Sequence, residues 1–548
     1  MVRSVGLWLA LCAVAACRAA PPSATTSGPP RLVVLLVIDQ LPSWSFIDRA
    51  PLFDRGLGRL LHEGAVYPRA RYPYAATYTA PGHAALATGA PPSVSGIVAN
   101  EWWDRADGAI VESVTDPGYP MLVVGGWRGE LFGSRARQSP WRLRVDGVAD
   151  VLHAATDGAG KSVGVSLKGR AAMFATGRHA DLALWYDEGQ RAFTTSTWYA
   201  REVPPWLAAL ARDHPIGPRL VDEWNALDPA LLARATGVPD DAPGEALAGG
   251  FGTTFPHRPL TLPVPAAAIK TSPLGNTVVV EAALAAVDGE GLGRDDVPDY
   301  LAVSFSAPDY VGHVYGQESW ESLDMLLRLD GDIATLLSGL EARVGAGRVA
   351  VVLSSDHGAT RMPERHPGAL RVDATKVARA ADVAMRGVTG TEGPWLVYDR
   401  DPTLYMSARF RKVPADIRDR ALDAAVTAVL AVPGIGYAAR TDKLSGRCDE
   451  RPDPEALYCR AVDGERSGEI FFGPAPGCLI IDKELDSISH GSANEDDRTV
   501  PVIVWGAGVP AGRHEEVISA LQVAPTLARL LRIPAPTGAK EKALPMGR

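Results

Sequence analysis

The chain has 548 residues, 46% of them hydrophobic and 22% charged, enough apolar material for a sizeable core and too much for a disordered polymer. Its 55 Lys+Arg stand against 64 Asp+Glu, a formal net charge of −9, so it lacks the basic footprint that a phosphate backbone attracts, and nucleic acid is excluded as the main partner. With 55 Gly and 44 Pro, many structured turns are expected.

The first element is an address. Residues 1–16 place a basic residue, Arg3, before an apolar run from Val5 to Ala16, the layout of a secretory signal peptide and too short for a bilayer span of ~20 residues. Val14-Ala15-Ala16-Cys17 resembles a bacterial lipobox. It makes Cys17 the expected lipidated first residue of an exported chain, periplasmic or anchored to the outer membrane. Residues 17–30, rich in Pro, Ser and Thr, read as a flexible tether. Of five cysteines, Cys448, Cys459 and Cys478 lie beyond the leader, and their three possible pairings stay open. No C-x-x-C pair indicates a thiolate zinc site.

Four apolar, β-branched runs follow in the body of the chain: Leu32–Ile38, Tyr300–Phe305, Val349–Leu353 and Val500–Trp505. Continuous rather than alternating runs suit strands buried on both faces of a parallel sheet. Amphipathic stretches such as Leu323–Leu340 and Val517–Leu531 predict helices. The expected fold is an α/β three-layer sandwich with a mostly parallel central sheet over residues 31–535, interrupted by insertions over the strand ends at about 181–295 and 366–481. The second insertion carries a strand-helix-strand pattern, Thr403–Ala408, Ala415–Ala431 and Ile435–Ala439; residues 536–548 are expected as a C-terminal tail.

Ligands of such sheets bind at the carboxyl ends of the strands, where polar clusters stand in this chain. Asp39 follows the first run, Asp309 and His313 follow the second at i and i+4, and Asp356-His357 follow the third, with Gly358 expected to free the backbone at a sharp exit. Carboxylates and imidazoles gathered in this way suit a divalent metal. Taken singly, each pair is more often plain structure, with Asp309 as a helix cap and His357 as a hydrogen-bonded buried histidine.

Together the motifs resemble a family. LLVIDQL around Asp39, ATYTAPGHAALATG around Thr79, SLKGR at 166–170, SAPDYVGH, LSSDHG and HGSANEDDRTVPVIVWG from His490 occur in the order of the alkaline phosphatase superfamily, and are similar to its bacterial monoesterases with a threonine nucleophile. The resemblance covers residues 32 to about 530. It implies two zinc ions, one held by Asp309, His313 and His490, the other by Asp39, Asp356, His357 and the Thr79 oxygen. It also implies that Thr79 attacks phosphorus to give a phosphothreonine, and that Asn100, Lys168 and Arg170 hold the phosphoryl group.

The residues themselves allow these roles beside plainer ones. Thr79 precedes an Ala-rich helix, where unpaired amides favour an anion, although an ordinary N-cap is the commoner use of Thr there. Asn100 is a donor or a turn residue. Lys168 and Arg170 alternate around Gly169 after the strand-like Val163–Leu167, so on an extended chain they point the same way, as a surface pair or as a clamp for a dianionic phosphoryl group. That clamp favours monoesters, because a diester has one charge fewer and a second ester group in its reach. The expected function is a secreted zinc-dependent alkaline phosphatase acting on small phosphate monoesters. The alternatives are a phosphodiesterase or nucleotide pyrophosphatase of the same superfamily, and, outside enzymes, an envelope lipoprotein that only binds.

Overall fold

The computed structural model of the protein describes residues 28–125, 136–221, 223–245, 251–258, 265–398, 402–481, 486–506 and 508–545. The expected leader, with Cys17, lies outside the described residues. A ten-stranded sheet is built from β1 (Leu32–Ile38), β2 (Ala65–Arg71), β3 (Ser162–Ser166), β4 (Leu182–Asp187), β5 (Ala192–Thr194), β6 (Asp299–Phe305), β7 (Val349–Ser354), β8 (Thr499–Gly506), β9 (Gly512–Arg513) and β10 (Ile518–Ser519). Its order is β9-β2-β8-β7-β1-β6-β3-β4-β5, with β10 also paired to β2.

β1 shows why the apolar runs are continuous. It pairs in parallel with β6 on one side and β7 on the other, and all seven of its residues are buried. Leu32, Val34, Leu36 and Ile38 enter one core; Val33, Leu35 and Val37 enter the other. The first core is roofed by α4 (Leu274–Glu290) and α6 (Trp320–Val344), the second by α2 (Thr79–Thr88) and α7 (Val523–Leu531). The three remaining helices that matter to the site or its support are α1 (Gly56–Glu63), α3 (Gly169–Phe174) and α5 (Ala307–Tyr315).

Several elements differ from expectation. β8 runs antiparallel to both β7 and β2, because a run buried on two faces carries no signal of direction. β4 and β5 lie inside the first expected insertion yet extend the central sheet. The stretch 517–531 is not one helix: Ile518 pairs with Ala70, Ser519 and Gln522 form a capping box around a short 3-10 turn, and α7 starts at Val523. The tail packs on the domain, with Leu544 buried and the Pro545 carbonyl accepting from Tyr67 Oη at 2.9 Å.

The second insertion is a cap with its own core. Strands Leu396–Tyr398, Thr403–Met406, Ile470–Pro474 and Ile435–Arg440 form one small sheet backed by helices Ala374–Thr389 and Ala415–Leu430. Cys448 and Cys459 form a disulfide there, and Cys478 is a buried thiol. Elsewhere, Asp330 on α6 accepts the backbone N–H groups of Asp54, Arg55, Leu57 and Gly58, so a carboxylate distant in sequence satisfies the orphan donors at the start of α1.

Glu321, in the first turn of α6, is buried against His257 Nε2 at 3.0 Å. Burial, reinforced by Asp240 and Asp324, pushes its carboxyl up to about 9. The fold therefore keeps a proton that the unfolded chain releases above its ordinary value of 4.5. The resulting stability is complete below that value and is lost as pH rises through about 9. Urea midpoints measured from pH 6 to 9 should fall in the native chain and fall less in Glu321→Gln; parallel declines would refute the assignment.

Candidate active site

β7, β1, β6 and β3 are consecutive neighbours running in the same direction, so their carboxyl ends share one edge. Each delivers polar residues there: Asp356 and His357 after β7, Asp39 after β1, Asp309 on α5 after β6, and Lys168 after β3. The direction of β8 explains His490. An antiparallel strand begins where its neighbours end, so the segment leading into β8 is brought to the same edge. β2, antiparallel to β8, ends at that edge too and feeds the loop that reaches Thr79.

Three imidazoles are aimed by the main chain. His313 Nδ1 meets the Ile488 carbonyl at 3.0 Å, His357 Nδ1 the Gly358 carbonyl at 2.9 Å, and His490 Nδ1 the Thr77 carbonyl at 2.8 Å. A carbonyl only accepts, so Nδ1 carries a hydrogen in each ring and Nε2 is the nitrogen left to ligate. Those Nε2 atoms turn toward carboxylates: His313 lies 3.3 Å and His490 3.6 Å from Asp309 Oδ1, and His357 lies 3.4 Å from Asp39 Oδ1. The His357 and His490 rings stack at 3.6 Å.

This donor set fits divalent metal. Asp309, His313 and His490 bring ligand atoms within 4.8 Å of one another, and so do Asp39, Asp309 and His357, which places Asp309 in both groups. Asp356 Oδ2 stands beside the second group, 3.5 Å from His357 Nε2 and 3.2 Å from His83 Nδ1. Asp39 Oδ1, Asp356 Oδ2 and His357 Nε2 are buried with no hydrogen-bond partner, the state expected of ligand atoms and costly for any others.

Electrostatics agree. Burial, with Asp309 and Asp356 nearby, pushes Asp39 well above the ordinary carboxylate range. Burial acts the same way on Asp309, but the Lys168 ammonium and His313 outweigh it and hold that carboxyl well below the range. Burial, then His357 and His313, push His490 far down, so its imidazole is neutral. Burial lowers His357 as well. Neutral imidazoles and crowded carboxylates call for added positive charge.

Thr79 is the first residue of α2 and not its cap; Tyr78 takes that position with extended backbone. Few helix amides remain for an anion: the Ala80 N–H donates to Asn100 Oδ1 at 2.8 Å, Pro81 has none, and the Gly82 N–H closes the first turn onto Tyr78. Anion binding therefore falls to side chains. Because Asn100 presents its oxygen to Ala80, its amide nitrogen is the end left for a ligand. Lys168 is buried, with Nζ 3.5 Å from Thr79 Oγ1, 2.6 Å from Asp39 Oδ2 and 2.5 Å from Asp309 Oδ2. Arg170 is not on an extended chain, since α3 begins at Gly169; it lies in the first helical turn, near enough for its charge to act on Lys168, with a buried, unpartnered Nε.

Among the supporting residues, sequence reading passed over Gln40, Gln317 and Asp497. Gln40 adopts φ +59 directly after Asp39, donates from Nε2 to Asp309 Oδ1 at 2.8 Å, and is itself held by Gln317 Nε2. A left-handed glutamine leaves no compositional trace. His83 Nδ1 donates to the Thr79 carbonyl at 2.9 Å, so one ring ties α2 to Asp356. Asp497, buried, accepts from Ser492 and Thr360 and fastens the segment beyond His490. Gly358 serves a close approach: a Cβ there would lie 2.0 Å from the Asp496 carbonyl oxygen.

Residues 33–493 match the family model described as type I phosphodiesterase / nucleotide pyrophosphatase. The alkaline phosphatase PafA of Elizabethkingia meningoseptica is 32% identical over 530 residues, which cover 94% of this chain and 93% of that one. Its crystal structure superposes with a TM-score of 0.85 at 30% identity, covering 94% and 98%. A protein of Myroides odoratus named calcium-transporting ATPase is 29% identical, covering 93% of each chain. Alkaline phosphatase PhoV of Synechococcus elongatus is 29% identical, covering 94% of this chain and 92% of its own.

Gly82 lets α2 lie against the Asp356 turn, since a Cβ there would be 2.1 Å from the Asp356 carbonyl oxygen. Gly82→Ala should cost about 1–3 kcal/mol of stability and weaken metal retention, as read by denaturant titration and metal analysis of the purified protein. Unchanged values for both would refute the close-packing account.

Proposed function

The chain belongs to the type I phosphodiesterase / nucleotide pyrophosphatase family of the alkaline phosphatase superfamily, and from that membership we propose that this phosphoric ester hydrolase is an exported zinc-dependent phosphomonoesterase working through a phosphothreonine. The observation that carries the monoester reading is the grouping of Lys168, Arg170 and Asn100 about Thr79. Two cations and an amide match the three peripheral oxygens and double charge of a monoester's phosphoryl group. A diester offers less charge and more bulk to the same groups.

Zinc is the metal favoured by three imidazoles beside carboxylates, with Asp309, His313 and His490 as one ligand set and Asp39, Asp356, His357 and Thr79 as the other. Bound there, two ions supply positive charge that favours the deprotonated Thr79 oxygen and the departing ester oxygen. The remaining steps belong to the chain. Thr79 Oγ1 forms a bond to phosphorus as the bond to the ester oxygen breaks, the electron pair leaving with that oxygen, which is then protonated from solvent. Lys168, Arg170 and the Asn100 amide hold the peripheral oxygens while charge shifts. Water then attacks phosphorus, the bond to Oγ1 breaks, and phosphate leaves.

Export is supported by the secretory layout of residues 1–16 and by the Cys448–Cys459 disulfide, a bond that persists in oxidising compartments. Cys17 is the proposed point of lipid attachment, and the periplasm or outer membrane the proposed location.

Zinc-loaded protein should show a far larger kcat/KM for an aryl phosphate monoester than for the matching diester. Comparable rates, or faster diester turnover, would move the chain to the diesterase reading, and no turnover of either would favour a binding protein. Lys168→Ala with Arg170→Ala should remove more monoester than diester turnover, and equal losses would refute the clamp. Thr79→Ala should abolish acid-stable labelling by a phosphate donor while retaining zinc; loss of zinc as well would make Thr79 chiefly a ligand.

A further inference from the structure

Lys168 touches both halves of the proposed chemistry. Its Nζ bridges Asp39 Oδ2 and Asp309 Oδ2, one carboxylate from each end of the metal-binding cluster, and also lies 3.5 Å from Thr79 Oγ1. Asp309 Oδ1 accepts from Gln40 and faces two imidazoles, so Oδ2 is the oxygen left to Lys168. Asp39 Oδ1 faces His357, which leaves its Oδ2 to Lys168 in the same way. We propose that Lys168 is an internal counter-ion that competes with the metal for Asp39 and Asp309, and that metal loading releases its ammonium to the phosphoryl group, coupling the two binding events through one side chain. The proposal rests on the ligand sets given under the proposed function.

The physical case is one of crowding. Three buried carboxylates, Asp39, Asp309 and Asp356, meet at one edge of the sheet, and buried carboxylates persist only when paired. Lys168 satisfies two of them at once. A divalent ion held by the Oδ1 atoms of the same two carboxylates draws on their charge and repels an ammonium a few ångströms away, and lysine is a compact charge on a flexible four-carbon stem. The ring of Tyr310 lies 4.9 Å from Nζ, and Thr79 Oγ1 is close enough that a phosphoryl oxygen bound there comes within reach without backbone movement. Arg170, with no ion pair to either carboxylate, shares the phosphoryl role and not the counter-ion role. Linkage makes the coupling mutual: whatever metal does for phosphate affinity, phosphate does for metal affinity.

The test uses the full chain stripped by a chelator and reads zinc affinity by competition with a chromophoric chelator, together with the melting temperature of the metal-free protein. Lys168→Met should bind zinc about tenfold tighter or more and melt lower without metal, because a competing charge and a carboxylate partner are lost together. Arg170→Ala should stay close to the native chain in both. Inorganic phosphate should tighten zinc binding in the native chain and do so much less in Lys168→Met. If the Met variant folds poorly, Lys168→Gln keeps a hydrogen-bond donor without the charge and should give the same direction of zinc shift. Unchanged or weaker zinc binding in the Lys168 variants, or an equal gain in Arg170→Ala, overturns the proposal while leaving the phosphatase reading intact. A native chain that binds no zinc overturns both.

Discussion

Three carboxylates converge at one edge of a sheet whose strands are buried on both faces, and they cannot all remain ionised there without cations to meet them. Much of the local structure answers that constraint. Lys168 reaches across from the neighbouring strand, His83 braces Asp356, and Gln40 takes a strained backbone conformation and thereby presents an amide to Asp309. The three imidazoles are held by main-chain carbonyls, and burial keeps those of His357 and His490 neutral, so these two add ligand atoms without adding charge. What the protein leaves uncompensated is what divalent ions supply.

The same economy governs Thr79. A threonine at the head of a helix is usually engaged in capping, and an anion at a helix head is usually held by free amides. The first does not apply, because the cap lies one residue earlier, and the second has little to work with, because Ala80 is bonded to Asn100 and Pro81 has no N–H. The hydroxyl is thus left uncommitted to a cap, and side chains from two other segments, Asn100 on one and Lys168 with Arg170 on the other, are grouped about it.

Much of this was legible in the sequence. Leu32–Ile38 read as a doubly buried strand because its hydrophobicity has no alternation, and the residue after it read as a site residue because parallel strands present their carboxyl ends together. The i and i+4 spacing of Asp309 and His313 survived as one face of α5. What was hidden had physical reasons. Strand direction leaves no mark on a run like Val500–Trp505, yet that direction is what brings His490 to the site. Gly82 and Gly358 matter through the backbones of Asp356 and Asp496, partners hundreds of residues away in one case and invisible to local pattern in both. Arg170 was placed on a strand because Lys-Gly-Arg alternates; the helix that starts at Gly169 is set by its packing under the sheet, which places Ala171 through Phe174 in the core.

The antiparallel course of β8 also has a bearing on how the molecule is made. A chain growing from its N-terminus completes β1, β6 and β7, with Asp39, Asp309, His313, Asp356 and His357 at their ends, well before residue 490 and the strand beyond it are synthesised. The central sheet at that stage still lacks the strand that separates β7 from β2, the strand whose leading segment carries His490. The last imidazole reaches the edge with the insertion of β8 between its two neighbours. A nascent chain therefore holds most of the cluster without its third imidazole until translation is nearly finished.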